Sequence, residues 1–358
     1  MSKTLSVQNY MASLFSTYVP FPLFSDDKHL AEKSLSTFIT KKLFRKKFRK
    51  QKVYENAIED ITSKVEKSLK DNKPIYFIIP FGGYKHFWNP SHPYPDWAEI
   101  FTLKFLTEYV SPIIEAYKPG VVIEFISEDL VLPRMNNYPE SALELYTQDF
   151  VRILDTYKKF PPKNLDLRFT RVGDQCDKAK IIKEVETLLP SRWKGWKTYT
   201  NERKELELKR SRRAILWKGK EDLSGLSPDE KEKRMIESRL IELAYYDVEG
   251  KPEYIGDYFT NGYYIGICFS FGLSPDNSSH WLTLGSTYAS VVDYWIGRGI
   301  LEQKNDGTFV NRIVSKDQYE KIKNLLQIVP IILKTLPLKN YSTIEIVTEK
   351  DWMEQIGR

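Results

Sequence analysis

Lys85 is the one lysine in an aromatic, glycine- and proline-rich stretch, IIPFGGYKHFWNPSHPYPDWAE, that runs from Ile78 to Glu99. An amine partly desolvated by neighbours such as Tyr84, Phe87 and Trp88 is the setting in which a lysine becomes a Schiff-base nucleophile. Gly82 and Gly83 carry no side chains, so their backbone amides can approach an anion. The competing reading is a lysine that snorkels from an aromatic loop into water. Asp96 and Glu99 add two acids, which also stand where acids cap and stabilise a helix N-terminus. His86, His92, Asp96 and Glu99 together carry metal-ligating chemistry, but they span a proline-rich loop in no established ligand pattern, and no metal is expected.

These residues need elements to position them. KPIYFIIPF reads as a buried strand ending near Pro80, bounded by prolines and rich in Ile, Tyr and Phe. From Trp97 the apolar residues fall at helical steps up to a Lys118-Pro119-Gly120 stop, with Pro112 a possible kink. GVVIEFISED returns to a β-branched run, PESALELYTQDFVRILDTYKKF supplies a further helix, and LDLRFTRVGD a third strand. Strand, helix, strand in this order favours parallel neighbours joined by right-handed crossovers. The carboxyl ends near Pro80, Glu128 and Arg171 are then expected to face one crevice, where open α/β sheets bind ligands.

The fold class expected is α/β, with a Rossmann-like, mostly parallel sheet flanked by helices. Four parts are anticipated: a helical N-terminal segment over 1–70, a Rossmann-like core over 71–189, a charged helical insertion or lid over 190–226, and a C-terminal α/β part over 227–358 that completes the core. In the last part Ser227, Pro228 and Glu230 form a capping-box signature, and YYIGICFSFGL and HWLTLGST read as strands.

Composition sets the outer limits. The chain has 358 residues, 41% hydrophobic and 28% charged, with a net charge of +6, which permits an anionic substrate without requiring nucleic acid. No apolar run approaches the roughly 20 residues that span a bilayer, and the N-terminus lacks the pattern of a secretory signal, so a cytoplasmic location is expected. Cys176 and Cys268 belong to no ligand or redox pattern and read as packing residues. The basic runs KKLFRKKFRKQK (41–52) and ERKELELKRSRR (202–213) raise the possibility of nucleic-acid binding; the favoured reading of the first is a solvated helix face docked through Leu43, Phe44 and Phe48. Neither a Gly-x-Gly-x-x-Gly turn after the first strand nor a P-loop nor a Gly-x-Ser-x-Gly elbow is present.

Over about 75–160 the order Pro80, Lys85, Pro95, Asp96, Ala98, Glu99 resembles the pyoverdine/dityrosine biosynthesis family, which contains the isocyanide synthases. The helix, the Tyr-x-Pro-Gly turn and the strand ending in Ser127, Glu128 and Asp129 continue the resemblance, although no glycine follows Asp129. Over 230–290 it is looser. The strand YYIGICFSFGL lacks the family's Arg and His, while His280 in SSHWLTLGS matches a later Trp-His strand of the family.

The resemblance implies a Rossmann-like fold and a condensation of an amino acid's α-amine with ribulose 5-phosphate, without a cofactor. Lys85, Glu128, Asp129 and His280 would then be catalytic. Gly82, Gly83, Tyr84, Asp96, Glu99, Arg134, Arg168 and Arg171 would bind substrate, the arginines through bidentate contacts to the phosphate. Two alternatives stay open: a metal-dependent glycosyl- or group transferase using Glu128 and Asp129, and a non-catalytic module that binds nucleic acid or a protein.

Overall fold

The computed structural model describes residues 3–15, 18–49, 53, 55–81, 85, 93–127, 133, 139–212, 223, 225–249, 251, 254, 261–269, 281–285, 297–333 and 341–357. Helices α1 (Lys3–Ser13), α2 (Ser25–Lys33), α3 (Leu35–Leu43) and α4 (Glu55–Lys70) precede β1 (Ile75–Phe81). Helix α5 (Trp97–Ala116) leads to β2 (Val121–Ser127), α6 (Glu140–Tyr157) to β3 (Leu165–Arg171), and a short turn of helix, α7 (Val172–Gln175), follows. Three longer helices come next: α8 (Lys178–Thr198), α9 (Asn201–Arg212) and α10 (Pro228–Glu249). Strands β4 (Tyr264–Cys268) and β5 (Trp281–Thr283) then return to the first sheet.

That sheet is parallel throughout, in the order β3-β2-β1-β4-β5, and helices flank it as the α/β reading requires. The chain grows outward from β1 to β3 and then restarts on the other side of β1, so the boundary between β1 and β4 is a topological switch point. All seven residues of β2 are buried, as a central parallel strand covered on both faces must be. Helices α5 and α6 cover the face that carries Phe77 and Phe125, with Tyr109 and Phe150 packed against these rings.

Helix α5 keeps its course through Pro112. The proline cannot bond the carbonyl of Glu108, and the Ser111 hydroxyl takes that acceptor instead, at 2.8 Å. The turn after α5 ends at Gly120, whose φ of +74° and contact with the Asn164 carbonyl leave no room for a Cβ.

A second sheet, not anticipated as a separate layer, occupies the C-terminal part. Its strands β6 (Arg298–Gln303), β7 (Phe309–Val314), β8 (Gln327–Pro330) and β9 (Thr343–Thr348) lie in the order β7-β6-β9-β8, with α11 (Lys316–Ile322) and α12 (Glu349–Gln355) beside them. One hydrophobic cluster joins the two sheets, running from Phe77 and Tyr109 to Leu301, Ile313 and Ile346. The join is tightest where β6 crosses the start of α5: a Cβ on Gly299 would lie 2.3 Å from the Ala98 nitrogen.

The charged segment beginning at Pro190 starts inside α8, which runs through that proline, so a boundary at 190 falls within a helix. It packs through Trp196, Ile236 and Leu240, and Arg239 of α10 bonds Glu207 of α9 at 2.6 Å. Ser227 and Glu230 do form the expected capping box. The basic run begins in the last turn of α3 and docks through apolar residues: Leu43 and Phe48 are buried, and Phe48 meets Phe105 and Tyr109 edge to face. Among the described residues no helix is long and apolar enough to cross a membrane.

Candidate active site

Lys85 follows β1 by four residues and is 2% exposed. Its amine lies 2.9 Å from Asp96 Oδ2 and 3.4 Å from Glu99 Oε1, and it donates to the backbone carbonyl of Gly297. The snorkelling reading is therefore overturned. Burial without partners would cost an ammonium several kcal/mol, on the order of the penalty for any uncompensated buried ion, and the two carboxylates offset it.

The two acids serve two masters. Asp96 caps α5: its Oδ1 accepts from the amide of Ala98 at 2.8 Å and from that of Gly299 at 3.1 Å, leaving Oδ2 for Lys85. Glu99 closes the capping box by accepting from the Asp96 amide at 2.8 Å through Oε2, and turns Oε1 toward Lys85 and the Tyr146 hydroxyl, 2.6 Å away. Capping and lysine binding are thus the same arrangement, one oxygen of each carboxylate for each task.

Further groups hold the cluster from behind. The Tyr341 hydroxyl donates to the Asp96 carbonyl at 2.8 Å, the Trp97 indole donates to the Thr343 carbonyl at 2.7 Å, and the two rings meet edge to face at 4.9 Å. The site thereby sits where the carboxyl end of β1, the N-terminus of α5 and the second sheet converge.

Among the described residues one lysine touches both carboxylates, while Arg298, bonded to Glu345, also acts on Asp96 through space. Glu99 is fully buried, and burial pushes its carboxyl up to about 7, against the opposing pull of Lys85 and the Tyr146 hydrogen bond. A carboxyl with that pKa exchanges its proton near neutral pH, which is what a general acid or base requires. Asp96, a quarter exposed, gives the pair its opening toward solvent.

The other expected site residues are dispersed or lie elsewhere. Phe81, Ser127 and Arg171 are in register across β1, β2 and β3, so the strand ends do share one edge. There Arg171 bonds Glu144 of α6 at 2.7 Å. Arg168 is paired with Asp166 at 2.7 Å, on the sheet face opposite α5 and α6 and away from Lys85. Gly82, Gly83, Tyr84, Glu128, Asp129, Arg134 and His280 lie outside the described residues, as do His86 and His92. Among the described residues no group of three or more His, Cys, Asp or Glu is placed to hold a metal ion. Tyr146, Gly297, Gly299 and Tyr341 were missed in the sequence. Tyr146 comes from α6, Gly299 from β6, and Gly297 and Tyr341 from residues just before β6 and β9, all but Tyr146 far along the chain; only Gly299 carries a local hint, as a glycine within a strand.

A scan of protein-family models and a search of curated proteins give no match. A search of solved structures finds the PvcA protein from Pseudomonas aeruginosa, with a TM-score of 0.57 over 88% of this chain and 100% of that one, at 15% sequence identity. At that identity the likeness is one of fold.

Proposed function

We propose that the protein is a biosynthetic enzyme resembling the isocyanide synthases, which condenses an amino acid's amine with a phosphosugar such as ribulose 5-phosphate. The observation that carries this reading is the burial of Lys85 against Asp96 and Glu99 at the switch point of a parallel sheet. The family-like order of Pro80, Lys85, Pro95, Asp96, Ala98 and Glu99, and a fold shared with PvcA, support it.

The chemistry follows from the proton inventory. Lys85 passes a proton to Glu99, and its freed lone pair attacks the sugar's carbonyl carbon while the carbonyl electron pair moves to oxygen. A proton moves from the attacking nitrogen to that oxygen to give a carbinolamine; Glu99 then protonates the hydroxyl, and water leaves as the nitrogen lone pair forms the protonated imine. The neutral substrate amine then adds to the imine carbon, a proton passes from its nitrogen to that of Lys85, and Lys85 leaves as the free amine while the sugar stays on the substrate as its imine. Glu99 carries protons in both directions, with Tyr146 fixing its orientation. Glu128, Asp129 and His280 are the further proton carriers in this proposal. Gly82, Gly83, Arg134 and Arg171 would hold the phosphate, Arg171 by exchanging Glu144 for it.

Because the first transfer needs Glu99 as a carboxylate, kcat/KM should rise with pH through about 7. The test is to mix the protein with amino acids and ribulose 5-phosphate and follow isonitrile formation by infrared absorption. Turnover that disappears in Lys85→Ala is the expected result; turnover retained by that variant would remove Lys85 from the chemistry. The bond from Lys85 to the Gly297 carbonyl favours a second reading, in which the cluster is a clasp between the sheets. Under that reading Lys85→Ala loses stability rather than turnover per folded molecule.

A further inference from the structure

Strand β6 meets the Lys85 cluster at its first residues. The Gly297 carbonyl accepts from the Lys85 amine and the Gly299 amide donates to Asp96 Oδ1 at 3.1 Å, so Arg298 stands between two backbone contacts with the centre. One hydrogen bond plus the span of a peptide unit keeps the Arg298 Cα within roughly 6 Å of the Lys85 nitrogen. Gly299 turns toward Ala98, and by strand alternation the Arg298 side chain leaves on the opposite side, outside the Lys85–Glu99 pair.

Its surroundings hold the guanidinium without using it up. Nε donates to Glu345 Oε2 at 2.6 Å, the Tyr319 hydroxyl donates to the other oxygen of Glu345 at 2.8 Å, and the guanidinium lies over the Tyr319 ring, 4.9 Å from its centroid. Among the described residues neither terminal amino group of Arg298 makes a hydrogen bond, which leaves the end of the fork open. Asp96 acts on this arginine through space, yet no direct ion pair joins the two. The side chains of Asp96 and Arg298 are 24% and 36% exposed, against 0% for Glu99, so the cluster opens to solvent where these two stand.

We propose that Arg298 holds the α-carboxylate of an amino acid whose ammonium rests on Asp96, and so makes the centre specific for amino acids over simple amines. This rests on the reading of the Lys85 cluster as the place where an amine is condensed. An α-amino acid carries a cation and an anion two bonds apart, and it fits between an acid and an arginine that face one another without touching. Lys85 is shared by two carboxylates, which leaves Asp96 able to take a second ammonium, and the open end of a guanidinium matches a planar carboxylate bidentately. The amine is thereby held beside the Lys85 nitrogen, where the imine carbon would lie.

Calorimetric titration of the full chain with each of the twenty standard amino acids, without phosphosugar, tests the assignment. At least one should bind at millimolar concentration, and its carboxamide, which keeps the ammonium, should bind the native protein about tenfold or more weaker, as loss of a charge-assisted contact implies. Arg298→Ala should weaken the amino acid by the same factor and leave the carboxamide unchanged, while Arg298→Lys should recover only part, since lysine keeps the charge and lacks the fork. The carboxamide comparison uses the native protein and needs no variant to fold. Equal affinity for acid and carboxamide would overturn the proposal, as would equal affinity for the acid in Arg298→Ala, or no binding by any of the twenty. Competition by ribulose 5-phosphate that vanishes in Arg298→Ala would also overturn it, giving the arginine to the sugar phosphate. Binding that depends on Arg298 in a protein that forms no isonitrile would refute the condensation and leave this assignment standing.

Discussion

Two buried charge clusters of this molecule look alike and are balanced differently. In the second sheet Glu302, fully buried, accepts from the Arg312 guanidinium at 2.6 Å and from Lys304 at 2.7 Å, while Lys304 also reaches Glu349 at 2.8 Å. Two cations meet two carboxylates, and Arg312 lies over the Trp352 ring. At the carboxyl end of β1, among the described residues, one lysine directly meets two carboxylates, and the fully buried one, Glu99, is driven by burial up to about 7. A balanced cluster locks charges in place. An unbalanced one leaves a proton whose position is decided near neutral pH, and that difference separates a brace from a candidate for catalysis.

The contrast can be broken first at its cations. Lys85→Ala should lower turnover by about a thousandfold or more, the scale on which an activated nucleophile and its proton relay act together. It should leave the circular dichroism spectrum native, because Glu99 can take a proton in place of its lost partner and Asp96 keeps its cap. Arg312→Ala should do the reverse. Removing the guanidinium from buried Glu302 should destabilise the fold by about 3 kcal/mol in urea titration, with turnover per folded molecule unchanged. Similar destabilisation by both variants would erase the distinction.

A smaller effect sharpens the comparison. A carboxyl whose pKa is raised by folding, here from 4.5 to about 7, stabilises the fold most below pH 4.5 and loses that contribution as pH rises through about 7. Stability of the native chain minus that of Glu99→Gln should therefore fall by about 3 kcal/mol between pH 4.5 and pH 8, measured by denaturation at each pH. A flat difference would mean that Glu99 is not held protonated by its surroundings.

Much of this was legible in the chain, unevenly so. β1, β2 and β3 announced themselves because central parallel strands are buried on both faces and read as unbroken apolar runs. Lys85 stood out by its place between a strand end and a helix cap, and Asp96 and Glu99 were visible as that cap. What could not be read was that the caps and the lysine share carboxylates, since this depends on how a loop folds back. The contact from Lys85 to Gly297 spans 212 residues, and no local pattern encodes it. The second sheet escaped notice for a different reason: β8 is a short edge strand with most of its residues exposed, so it lacks the apolar run that marked the first three. The Asn305-Asp306-Gly307 turn between β6 and β7, with Gly307 at a φ of +84°, was the overlooked signal for that hairpin. The face on which Arg168 lies was not legible, because a strand arginine reads the same whichever face it occupies.

Reduction with borohydride in the presence of ribulose 5-phosphate, followed by peptide mass spectrometry, addresses the proposed chemistry most directly. If Lys85 forms the imine, the reduced sugar adduct appears on Lys85 and is absent from Lys85→Ala and from samples lacking the sugar. An unmodified Lys85 in protein that is turning over would contradict it.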